Sequence, residues 1–357
     1  MKTALTSLLT ILTVQALSAQ SITANISGVT ITGDITVNGD VSGRPAQLTV
    51  THTGSFLFPV VMSLQPSQII IPNSPGTGSQ VVYAGTNGPT ISTFNASGAI
   101  GETVGTNLTT LQFDDLVGVV GNFVPSNFNS LTDLSLPALK VVGGGFTATA
   151  FSALTTLSLP VLSHVGGNFS PSTMASLTSL SCPQLVFVGG ALGATTMASL
   201  TNFSFPNLVS IGSTLSPGVM GSLTTISLPS LTTLGGAVNI GNMANLTTFS
   251  APEMIQYGST ISLFNSLGNL TTVTLGTVGT LKAVYGATIN LSGQKLDQDS
   301  VNGILALLVS LDGTGGTVLW GAGKTVNLSG GTSAAPSGQG ATDKATLVAR
   351  TATVTTN

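Results

Sequence analysis

The sequence predicts a mainly β chain: a β-solenoid of about seven to eight coils, with a β-rich N-terminal section before it and an α/β cap after it. Three observations predict this. Pro137, Pro160, Pro183, Pro206, Pro229 and Pro252 recur at a fixed spacing of 23 residues. Apolar residues keep the same register around each of them. The helical pattern and most of the late charges appear only after this register ends. A period of 20 to 50 residues marks a stack of short structural units, each unable to bury its apolar face alone.

The chain divides into residues 1–19, an export signal; 20–105, the β-rich section; 106–295, the repeats; and 296–357, the cap. In the first segment Lys2 is a short positive region, Leu8 to Leu17 an apolar stretch, and Ala16, Ser18 and Ala19 the small residues of a cleavage site. No other stretch approaches the length of a membrane-spanning helix. Secretion or cell-surface display is therefore expected.

Residues 20–105 lack the 23-residue frame. Segments such as VTITGDITVNGDV and AQLTVTHTG alternate in polarity between Gly, Asn and Asp, which reads as β-hairpins. A small β-sandwich and an irregular β-solenoid both fit that pattern.

The repeats begin at Leu108, Leu131, Leu154, Leu177, Leu200, Leu223 and Leu246, with an eighth, displaced by one residue, at Leu270. Their shared form is L-T-x-L-x-h-P-x-L-x-x-h-G-G, with h apolar. The fourth position (Leu111, Leu134, Leu157, Leu180, Phe203, Ile226, Phe249, Val273) and the sixth (Phe113 to Ala251) give a short strand with its apolar side inward. Proline cannot donate to a ladder, so it is expected where the strand ends and the coil turns. Gly143, Gly166, Gly189, Gly212, Gly235 and Gly258 are expected to supply a second turn with positive φ.

This pattern resembles the leucine-rich-repeat superfamily, in its 23-residue bacterial surface variety (the BspA-like group) and in receptor L-domain-like repeats, over roughly residues 106–290. The resemblance implies a leucine-rich-repeat-like solenoid that works in adhesion or recognition. The Asn or Cys that follows the strand in standard repeats is replaced here by proline. A regular horseshoe and a straighter, irregular solenoid both stay open.

In the cap, LDQDSVNGILALLVSL sets Val301, Ile304, Leu305, Leu308 and Leu311 on one helical face, with Asp297 or Asp299 as N-cap. A strand at TVNLSGG, a second short helix around Thr342 to Arg350 and a final strand at TATVTT follow. The segment LSGGTSAAPSG is similar to the ends of repeat proteins found in phage particles.

Little in the chain points to chemistry. Charged residues make up 5% of it, the net charge is −3, and Val141 to Pro252 contains no Asp, Glu, Lys or Arg. That argues against nucleic acid, which needs a basic stripe. Cys182, the single cysteine, excludes an intrachain disulfide and falls at an inward position as a packing thiol. The two histidines, His52 and His164, lie in different sections, and no nucleophile elbow, zincin motif or P-loop occurs. Asp114 and Asp115 read as an edge of the stack rather than a catalytic pair. Asp34, Asp40, Asp297 and Asp299 carry oxygens of the kind Ca²⁺ accepts, but read as turn and cap residues. No enzyme, cofactor or metal is expected.

The positive signal lies at the third and fifth positions, which a strand turns outward. The candidate binding residues are Thr156/Ser158, Ser179/Ser181, Asn202/Ser204, Thr225/Ser227 and Thr248/Ser250. The same rows run on through Thr110/Gln112, Asp133/Ser135 and Thr272/Thr274. The plain account is a solvated face of small polar residues. The sharper one is recognition of an extended uncharged partner, an extracellular glycan or a protein surface, although the aromatic platforms usual in sugar sites are missing from the rows. A fibre or spacer, cellular or phage-borne, is a rival role. So is binding to ice or a crystal surface, since the rows resemble the Thr-x-Thr rows of ice-binding proteins with serine interrupting them.

Overall fold

The structure is a computed structural model of the chain. It describes residues 116–357 apart from 120, 266 and 267, and, ahead of these, the strands between Ser21 and Phe113. The expected export segment, Asp34, Asp40, Asp114 and Asp115 lie outside the described residues. The fold is mainly β, a parallel β-solenoid of about seven turns with two helices near the C-terminus. It forms two compact units, one of residues 1–167 and 171–177, the other of 168–170 and 178–357.

In the first unit every recorded strand pairing is parallel. Strands Ser21–Ile26, Gln47–His52, Gln68–Ile70 and Thr93–Ser97 line up in one sheet, and Ile35–Val37, Val60–Met62, Ser79–Tyr83 and Leu108–Phe113 in another. The hairpins expected between residues 20 and 105 are therefore corrected. Hairpins are antiparallel, and here the partner of each strand lies one coil further on. The coils vary in length, Leu48 standing beside Ile69 and Val81 beside Leu111, so no fixed period betrays them.

A coil of the second unit shows how the regular part works. From Leu200 onward, Leu200, Phe203, Phe205, Leu208, Ile211, Leu215 and Met220 all turn inward and are buried. The strand Asn202–Ser204 forms one side and Ser210–Ile211 the second. Isolated bridges at Leu215 and Gly218 form the third. Two tight turns join them. In the first, proline occupies the second position, with the Leu208 amide donating to the Phe205 carbonyl at 3.3 Å and the same bond at Leu139, Leu162, Leu185 and Leu231. In the second, the Leu223 amide donates to the Met220 carbonyl at 3.2 Å. The third side's Leu215 and the Phe/Met column (Phe128, Phe151, Met174, Met197, Met220, Met243) are buried although the shared repeat form does not include them.

The glycine expectation is also corrected. None of Gly143, Gly166, Gly189, Gly212, Gly235 and Gly258 has positive φ. A Cβ at Gly166, Gly212, Gly235 or Gly258 would instead overlap the carbonyl of the glycine one coil earlier, Gly143, Gly189, Gly212 or Gly235. These glycines let backbones approach; they do not bend them. Positive φ falls on another column, also 23 residues apart: Asn127, Ala150, Thr173, Thr196, Val219 and Asn242, with φ between 53° and 61°. Their amides are well used, Val219 donating to Gly241 at 3.2 Å and Thr196 to Gly218 at 3.1 Å. No side chain common to the column announces it, which is why pattern reading passes over it.

The cap continues the second unit's sheet while replacing coils with helical crossovers. Strands Val238–Gly241, Ile261–Asn265, Thr288–Asn290, Thr325–Asn327 and Thr353–Thr355 pair in parallel order. Helix α1, Gln298–Val309, connects the third of these to the fourth, and helix α2, Gln339–Ala349, the fourth to the fifth. Asp297 is the N-cap of α1, its carboxylate accepting from the Ser300 amide at 2.7 Å. The helix buries Val301, Ile304, Leu305 and Leu308 as its spacing predicts. α2 starts three residues earlier than expected, at Gln339, because Gly338 with φ 53° sets its entry. Among the described residues no helix is long and apolar enough to cross a membrane.

Candidate binding face

Period-two alternation puts the sides of each short strand to different fates. Leu157, Leu180, Phe203, Ile226 and Phe249 point into the core, at most 4% exposed. The residues on either side of them point out. In the first unit Thr156 and Ser158 are both exposed on the strand Thr156–Ser158. In the second unit the rows run over Ser179–Ser181, Asn202–Ser204, Thr225–Ser227, Thr248–Ser250 and Thr272–Thr274, where each outward residue is exposed or half-buried. Neighbouring strands lie in straight register, Thr225 beside Thr248 and Ser227 beside Ser250. From Thr225 to Thr274 the rows thus stack hydroxyl beside hydroxyl at the strand spacing of about 4.8 Å, while Asn202 sets an amide beside Ser179. Thr110 and Gln112 belong to the strand Leu108–Phe113.

One ladder departs from this regularity. Between Asn202–Ser204 and Thr225–Ser227 the register is confined to Ser204 beside Ser227, whereas the flanking ladders are in register over three residues. At that seam a depression of about 220 Å³ opens, lined by Asn202, Ser204, Thr225 and Ser227 with Pro206 and Pro229 at its rim. Phe203 lies beneath it, edge-on to Phe205 with ring centroids 4.8 Å apart. Four of the ten candidate residues therefore share one concavity.

Other hydroxyls are engaged within the stack. Thr201, Thr232, Thr247 and Thr271 each donate through Oγ1 to the carbonyl of a residue one coil earlier, at 3.1 to 3.2 Å. Asn168 accepts the Ala191 amide through Oδ1 at 2.8 Å, doing for a backbone donor what a carbonyl would. The second side of the coils in the same unit presents a different surface: Val186, Phe187, Val209 and Ile255 are each 37 to 40% exposed there.

Cys182 is free and fully buried, and burial pushes its thiol well above the ordinary range, so it is inert packing. His164 is exposed, its Nδ1 2.9 Å from the Ser163 hydroxyl. Tyr257 takes an inward strand position, and desolvation raises its phenol in the same way. Among the described residues no group of three metal-ligating side chains comes together. Asp297 and Asp299 instead head a second concavity, about 480 Å³, where α1 meets the strand Thr272–Thr274. The repeat pattern gives no sign of that cleft, because it forms where the repeat stops.

Comparison with protein-family models, with curated proteins and with solved structures found no match to this chain.

Proposed function

We propose that this chain is a non-enzymatic binding protein of the leucine-rich-repeat kind, exported and displayed outside the cell, which recognises an extended, uncharged, repetitive partner such as a glycan. The observation that carries the reading is the pair of outward rows from Ser179 to Ser250, in register across two ladders, joined at the seam between them through Ser204 beside Ser227, and free of any charged side chain. Small hydroxyls and amides both donate and accept, so each coil offers a polymer a similar set of partners. Weak contacts repeated along a partner add up as a multivalent interaction does. The depression over Phe203 gives the row one place where a ligand group sinks below the strand surface.

A second reading, a fibre or spacer, is favoured by a specific observation. The hydroxyls of Thr201, Thr232, Thr247 and Thr271 serve the stack itself. A chain selected only for stiffness needs those bonds and no free row.

The test is binding of the purified protein to a panel of polysaccharides and intact cells, beside the double variant Thr225→Lys/Ser227→Lys. The reading expects saturable binding by the native chain and at least a tenfold loss in a variant that melts normally. Binding that survives in the variant contradicts it, and no binding at all favours the spacer.

A further inference from the structure

Each strand on the coils' first side in the second unit hands its outer edge to the next coil until Thr272–Thr274, the last strand of that sheet. There α1 stands where another strand would run, and its N-terminal end supplies part of what that strand would give. The Asp297 amide donates to the Thr271 carbonyl at 2.9 Å, and Ser300 Oγ accepts the Val273 amide at 2.9 Å. Beyond Val273 the substitution stops and the 480 Å³ cleft begins.

Two backbone groups face it. In a parallel ladder the N–H and C=O of one residue point to the same neighbour, so the Val273 carbonyl faces outward with its amide. Leu275 is equivalent to Leu228 and Ala251, whose amides donate at 2.9 Å to Ser250 and Thr274 of the following coil. No following coil does this for Leu275. Among the described residues neither the Val273 carbonyl nor the Leu275 amide has a hydrogen-bond partner. An acceptor and a donor two residues apart on one edge are what an added strand pairs with.

The opposite wall carries an independent sign. Gly303 lies inside α1, where glycine is a poorer helix former than alanine. A Cβ built there would meet nothing within 4 Å, so no packing contact requires glycine. Its bare backbone leaves room beside Ile304 and Leu307 for a side chain from outside. The head of the cleft, at the N-terminal end of the strand, holds the exposed carboxylates of Asp297 and Asp299, and no basic side chain lines it.

We propose that this cleft docks an extended peptide segment of a partner protein, which runs parallel to the strand past its C-terminal end and pairs with the open Val273 carbonyl and Leu275 amide, beyond the part of the edge that α1 already occupies. The segment sets an apolar side chain against Gly303, Ile304 and Leu307 and a basic residue near its N-terminal end over Asp297 and Asp299. This inference is independent of the glycan reading, since it uses a different surface and a different ligand chemistry.

The test titrates the full chain with a labelled hexapeptide, Lys-Thr-Val-Thr-Val-Thr, and with the same peptide N-methylated at alternate amides. Saturable binding is expected. It should fall about tenfold or more in Gly303→Leu and with the N-methylated peptide, because one fills the cleft and the other removes the ladder donors. Asp299→Lys, at an exposed position, should weaken binding severalfold. Absence of binding, equal binding of the N-methylated peptide, or indifference to Gly303→Leu overturns the proposal. Should Gly303→Leu fail to fold, unchanged binding in Asp299→Lys overturns it instead. Self-association of the native chain that Gly303→Leu abolishes would overturn the peptide partner in favour of a second copy.

Discussion

Within the second unit, the coils and the cap solve the same problem with different materials. A parallel coil leaves a row of amides and carbonyls on each edge. In the coils the neighbouring backbone and the hydroxyls of Thr201, Thr232 and Thr247 take them up. In the cap no further coil arrives, and longer or charged side chains reach the exposed groups instead. Lys324 Nζ donates to three successive carbonyls, Val284, Tyr285 and Gly286, at 2.9 to 3.2 Å. Arg350 Nη1 donates to the carbonyls of Val309 at 2.9 Å and Leu311 at 3.3 Å. Between Val141 and Pro252 the coils satisfy one another's backbone without a charged side chain, and in the cap Lys324 and Arg350 serve five carbonyls that no coil reaches.

The largest loss is expected at the glycine column of the coils. Gly235→Val places a side chain onto the Gly212 backbone, whose carbonyl carbon lies 2.9 Å from the position of the new Cβ. Backbone cannot yield as a flexible side chain does. The expected loss is about 3 kcal/mol or more, read from the denaturation midpoint, and an unchanged midpoint would refute close approach as the reason for glycine.

Lys324→Met tests the other half. It keeps the stem over Trp320 and removes the ammonium, which sits 5.2 Å from the ring centroid. Three carbonyls lose a donor, so a loss of about 1–3 kcal/mol is expected in thermal melts. A neutral result would mean that the last coil needs no closing.

A smaller change with the opposite sign is expected at Val219. Left-handed backbone costs a β-branched residue about 1–2 kcal/mol, and asparagine tolerates it. Val219→Asn keeps the amide bond to Gly241 and should raise stability by roughly 0.5–1 kcal/mol. Destabilisation would mean that the half-exposed valine side chain matters more than the backbone beneath it.

The smallest effect belongs to the loop after Leu311. Hydrogen bonds from the Thr314 hydroxyl and amide, with the Thr317 hydroxyl, hold the Asp312 carboxylate below its ordinary pKa of 3.8. A depressed carboxylate contributes its stability above the unfolded value and loses it as pH falls through the folded one. The Thr314 amide resonance should therefore stay constant from neutral pH to about 4 and move only below that. A shift centred above pH 4 would contradict the bonding.

How far the sequence reveals this molecule depends on whether physics repeats at equal intervals. Leu200, Phe203 and Leu208 recur in every coil because each must fill the same inward space, so core, turn proline and outward rows were all legible. The positive-φ column was not, since Asn, Ala, Thr and Val share no chemistry and only the backbone repeats. Strands before Phe113 showed alternation but hid their partners, because coil length varies there. The candidate face could be listed residue by residue from its spacing. The seam over Phe203 could not, because it is a local loss of register. The cleft at Gly303 could not either, because it is made by two segments that do not repeat.

A matched pair of double variants decides whether the strand rows are the surface that meets a partner. Thr225→Lys/Ser227→Lys alters the hydroxyl rows, and Val209→Lys/Ile255→Lys alters the exposed second side of the same unit by the same charge. Equilibrium binding to whichever polysaccharide the native protein holds should fall at least tenfold for the first pair and stay within about twofold for the second, with both variants folded. Equal losses in the two, or loss confined to the second, would mean that the hydroxyl rows are not the binding surface.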